Sequence, residues 1–122
     1  MVDALESQGI QAVAPMLASG WERRESPKYG YASTWSERHA AHACGLGTFG
    51  LSDGLITPVG VAIRAGSVVA ECRVDPTPRR YDTHMQWCPF AEDESCGECI
   101  DRCPAGAITS NGHSKVKCEA YL

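Results

Sequence analysis

The chain has 122 residues, 43% hydrophobic and 21% charged, which is the size and balance of one domain with a real core, not of a disordered segment. Its 11 basic and 15 acidic side chains give a net charge of −4. With no basic cluster beyond Arg23–Arg24 and Arg79–Arg80, a nucleic-acid surface is excluded, and no apolar run is long enough to cross a bilayer. Seven cysteines follow a start that has neither the basic nor the apolar region of a secretory signal, so a cytoplasmic metalloprotein is expected.

In chain order, Asp3 with Glu6 reads as a capping box on a short first helix that Gly9 ends in the left-handed conformation. Ile10 to Ala14 reads as a short strand stopped by Pro15, and Gly20 to Gly30 as a polar loop around Pro27. A second helix is expected from Trp35 to Cys44, with Thr34 and Glu37 as its capping box and Gly45 as the residue just past its end. Trp35, His39, His42 and Ala43 then share one face. Three glycines in Gly45 to Gly50 allow a sharp turn or the close approach of another group. Strands are expected over Leu55–Thr57, Val61–Ile63 and Val68–Val74, before a linker from Asp75 to Arg80. The fold class is thus α+β: a small core over residues 1–80 and a loop-dominated, cysteine-rich module over 81–122.

The module carries Cys96-Gly-Glu-Cys99-Ile-Asp-Arg-Cys103-Pro104. This C-x2-C-x3-C-P run is most of the bacterial ferredoxin signature, in which one more cysteine stands three positions upstream. Asp93 occupies that place here and cannot supply a thiolate, so Cys88 is the candidate substitute. Thiolates at this spacing wrap one side of a [4Fe–4S] cubane, and Pro104 turns the chain away after the last of them. Where two clusters are present, the cysteine before the proline serves the other one; Cys88, Cys96 and Cys99 then belong to one cluster and Cys103, with Cys118, to a second. A structural zinc site built from the same thiolates is the alternative. Cys44 and Cys72 read as small buried apolar residues. His39 and His42 read as a half-buried pair, and His84 and His113 as isolated surface residues.

Taken together, Ser36 to Gly50, Gly66-Ser-Val-Val69, the Cys96–Pro104 run with Ala107-Ile108, and Cys118-Glu-Ala-Tyr-Leu122 resemble the epoxyqueuosine reductase and reductive dehalogenase group of corrinoid iron–sulfur proteins. The resemblance spans about residues 30 to 122. It implies a partial nitroreductase-like core holding cobalamin beside Gly45, Leu46, Gly47 and Gly50, and a ferredoxin-like module that feeds it electrons. An ungapped count places Tyr31 at the family's proton-donor position, where a phenol would need a nearby cation to act as an acid. It also implies an electron-donor protein, with a second copy or a separate polypeptide completing clusters for which this chain has too few cysteines. Members are usually longer at both ends, so the sequence reads as the middle of such a protein.

Overall fold

A computed structural model describes residues 1–122. Its architecture is a mixed one of short helices and four two-stranded antiparallel sheets, which agrees with α+β at that coarse level. Helix α1 (Val2–Glu6) leads through Gly9, with φ +77°, into β1 (Ala12–Val13). This strand pairs with the distant β6 (Val69–Ala70), Ala12 opposite Ala70 and Val13 opposite Val69. Only these short cores of the two expected strands form ladders, and Val61–Ile63 forms none.

The polar segment expected as a loop is instead a hairpin. Strands β2 (Arg23–Ser26) and β3 (Gly30–Ser33) pair with Glu25 opposite Tyr31. The Ser26 hydroxyl accepts the Tyr29 N–H at 3.3 Å, and Gly30 takes φ +76°. Neither strand alternates buried and open residues, β2 being largely open to solvent and β3 half-buried up to Ser33, so the usual period-2 signal is missing.

Helix α2 (Glu37–Ala43) starts two residues later than expected. Thr34 does not cap it: the Thr34 hydroxyl accepts the Glu22 N–H at 3.1 Å and donates to the Gly20 carbonyl, fastening the base of the hairpin. Ser36 stands at the N-cap position, and its hydroxyl is engaged by His39 Nδ1 at 2.8 Å. The other end is as expected. Gly45 has φ +82°, its N–H donates to His42, and the Leu46 N–H reaches back to Ala41, a complete Schellman closure.

The turn that follows makes the centre of the molecule. Strands β4 (Thr48–Phe49) and β5 (Leu55–Ile56) pair, and Ala41, Thr48, Leu51 and Leu55 are buried there. Tyr81 and Cys88 join this core from beyond position 80. The Tyr81 hydroxyl donates to the His42 carbonyl, its ring stacks on the His42 imidazole with centroids 4.9 Å apart, and the edge of Trp87 meets it at 5.5 Å.

The last third is more helical than expected: α3 (Pro89–Asp93), α4 (Glu98–Asp101), the hairpin β7 (Ile108–Thr109) and β8 (Gly112–His113), then α5 (Lys115–Tyr121). It is bound to the first 80 residues at several points. Arg23 pairs with Glu119, Lys115 Nζ donates to the Tyr31 carbonyl at 3.1 Å, and His113 Nδ1 lies 3.0 Å from Asp53 Oδ2.

Candidate metal centre

Thr48 fixes the approach to the first cysteine. Its side chain is wholly buried, and its hydroxyl oxygen accepts the Trp87 N–H at 3.0 Å. Cys88, the next residue, is 6% exposed and forms the N-cap of α3, with Pro89 in the first helical turn where a missing N–H costs nothing. Cys96 precedes Gly97, the N-cap of α4, and Cys99 lies within that helix. All three thiols are free, and those of Cys96 and Cys99 are half-buried.

Cys88 and Cys96 both bear on Cys99. Burial pushes the Cys99 thiol up first, and the charges of Cys88 and then Cys96 push it further. A thiol raised by like charges is one that a cationic metal centre would relieve.

Cys103 stands in a different setting. Its sulfur accepts the Ala107 N–H at 3.3 Å, and the thiol is held below the usual range first by that bond, with the N–H groups of Ile108, Ala105 and Gly106 acting the same way. The cradle follows from the local chain. Pro104 redirects the backbone, Gly106 adopts φ +54°, and Ala107 is packed at 1% exposure with its carbonyl accepting the Ser114 N–H. Cys118 is half-buried on α5, whose N-terminus is capped by the Ser114 hydroxyl.

Asp93 is spoken for. Its carboxylate accepts the Ser95 N–H at 2.9 Å, and that contact with Ser95 holds it below the ordinary carboxylate range. Cys44 and Cys72, expected to be buried, are both exposed: one caps the end of α2 and the other lies in a bend past β6. Sequence periodicity cannot separate the buried face of so short an element from its open one.

No three His, Cys, Asp or Glu side chains converge closely enough to hold a metal ion. In a tetrahedral zinc site the bond length of about 2.3 Å would bring sulfurs to about 3.8 Å from each other. A cubane gives each thiolate its own iron and so spreads them more widely.

The glycine loop serves the chain itself. A Cβ on Gly47 would overlap the Ile56 carbonyl oxygen, one on Gly50 would press on Ile56 Cδ1 at 3.3 Å, and one on Gly45 would meet the Pro78 carbonyl at 3.4 Å. Leu46 is 53% exposed. These glycines are accounted for by packing within the chain, and Gly50 also lines a cleft of about 990 Å³.

Tyr31 lies on β3 with the Arg23 guanidinium 4.2 Å and the Lys115 ammonium 5.4 Å from its ring centre. The cations sit by the ring face. With Trp21 and Trp35 it lines a cleft of about 1020 Å³.

Sequence reasoning missed Thr48 and Tyr81, whose roles depend on chain segments more than 30 residues away. It also missed that His84 and His113 face the same cleft as His39 and His42. Comparison of the chain with protein-family models, with curated proteins and with solved structures gives no match.

Proposed function

We propose that the chain is an iron–sulfur electron-transfer protein, an oxidoreductase of the kind resembled by its Cys96–Pro104 run. The observation that carries this reading is the Cys96–Pro104 run, supported by the influence of Cys88 and Cys96 on the Cys99 thiol and by the backbone N–H groups around the Cys103 sulfur.

The donor set fits a cluster better than a single zinc ion. It is all thiol, its C-x2-C-x3-C-P spacing is that of cluster ligands, and charge on Cys88 and Cys96 raises the Cys99 thiol. A bound [4Fe–4S] cluster supplies one-electron transfer. The chain's own residues do the rest. Cys88, Cys96 and Cys99 would bind it, and Cys88 would place it against the Tyr81–Trp87 side of the core, where little water reaches. The N–H groups around Cys103 stabilise a thiolate there, and hydrogen bonds to ligand sulfurs are among the levers that set a cluster's potential. No step is assigned to a corrinoid.

The test is the absorbance of anaerobically prepared protein. The cluster reading expects a broad band near ~400 nm that bleaches with dithionite. A colourless protein that releases zinc would replace it with the structural-metal reading.

A further inference from the structure

A cleft of about 990 Å³ opens on the side of the core formed by α2, the β4–β5 turn and the β7–β8 hairpin. All four histidines of the chain line it: His39, His42, His84 and His113. Three fixed cations, Lys28, Arg38 and Lys115, join them, against a single carboxylate, Asp53. The chain as a whole carries −4, so this concentration of positive charge runs against its composition.

None of the three is neutralised by a carboxylate, although Arg38 donates to the Asp53 carbonyl, Lys115 Nζ to the Tyr31 carbonyl, and Lys28 lies over the Tyr29 ring. Five ion pairs exist in the structure, and none involves Lys28, Arg38 or Lys115. The one carboxylate in the cleft is already taken by His113 Nδ1 at 3.0 Å. His42 donates from Nδ1 to the Gly47 carbonyl at 2.9 Å, which orients its ring. Phe49 packs on both His39 and His42, at 4.9 and 5.3 Å, and Phe90 and Met85 add apolar wall.

We propose that this cleft binds a small phosphate ester with an apolar or aromatic body. Two net fixed positive charges match a phosphate monoester of about −1.5 to −2. Arg38 suits its planar array of donors to phosphate oxygens, and the imidazoles add further N–H groups around it. The volume is that of a small-molecule site, and the rings offer a surface for the rest of the ligand. The site lies outside the cysteine set, and its ligand is independent of iron.

The test titrates the isolated chain with adenosine 5′-monophosphate, inorganic phosphate, adenosine and succinate by calorimetry, following histidine ring signals by NMR, with metal content measured on the same sample. Adenosine 5′-monophosphate should bind saturably, compete with phosphate, move the His39 and His42 signals, and bind about tenfold or more tightly than adenosine. Arg38→Gln should weaken it by about the same factor with an unchanged circular dichroism spectrum. Should Arg38→Gln fail to fold, Lys28→Gln, at an exposed position, should still weaken binding several-fold. The proposal is overturned if adenosine or succinate binds as tightly as the phosphate compounds, if the histidine signals stay fixed, or if Lys28→Gln binds like the parent. A metal-free sample that binds the nucleotide leaves the cleft assigned whatever becomes of the iron–sulfur reading.

Discussion

Thr48 holds the cysteine approach in place with one hydrogen bond: in a fully buried position it accepts the N–H of Trp87, the residue before Cys88. Replacing it with valine keeps the volume and removes the acceptor, leaving a buried N–H without a partner at a cost of about 1–3 kcal/mol. Thr48→Val should therefore lower the denaturation midpoint and speed loss of any bound metal, as followed by chemical unfolding and metal release. A variant equal to the parent in both would show that Trp87 finds water instead. The thiols divide by environment as well. Cys103 is depressed, chiefly by the Ala107 N–H, and Cys99 is raised, chiefly by burial. Below the ordinary thiol range, Cys103 then carries the larger thiolate fraction, and the thiolate is the nucleophile. In reduced, metal-free protein near neutral pH, iodoacetamide should label Cys103 ahead of Cys99. Trypsin cleaves after Arg102 and separates the two for mass spectrometry. Faster labelling of Cys99 would contradict the N–H cradle.

At the scale of the element, the turn after α2 is constrained by its glycines. Gly45 needs its positive φ, and Gly47 needs its missing side chain because the Ile56 carbonyl lies where a Cβ would go. Gly47→Ala should cost more than about 2 kcal/mol, since backbone has to move to admit the methyl group. A thermal melt unchanged from the parent would mean that β4 and β5 are not paired in this register. The end of α2 was legible in the sequence because its signals are local: a run of alanine and histidine followed by Gly45-Leu46. Its beginning was not. Thr34 has the spacing of a cap, yet the hairpin that claims its hydroxyl is read only once Gly20 and Glu22 are in place. The β2–β3 hairpin was hidden for a related reason: Arg23, Arg24 and Glu25 are strand residues whose side chains serve ion pairs and an aromatic face, not a core.

Across the whole molecule, the accessible surface is 9012 Å², where a compact monomer of this mass would expose about 6,400 Å². Few side chains are fully buried, while Leu17, Val59, Val61, Val74 and Leu122 stand largely in solvent. No helix is long and apolar enough to cross a membrane. With so thin an apolar core, a metal centre that binds only the folded chain would contribute a large share of its stability. The cysteine motif was legible because its spacing is a property of sequence alone. The backbone N–H groups around Cys103 could not be read, because they depend on the turn that follows Pro104. The cationic cleft could not be read at all, because its histidines lie between 3 and 74 positions apart along the chain. The cluster reading is tested most directly by iron and acid-labile sulfide per chain after anaerobic reconstitution, for the parent and for Cys96→Ala. About four irons and four sulfides in the parent, with loss of both in the variant, is the expected result. Zinc without sulfide, or a variant that keeps its full iron, would contradict it.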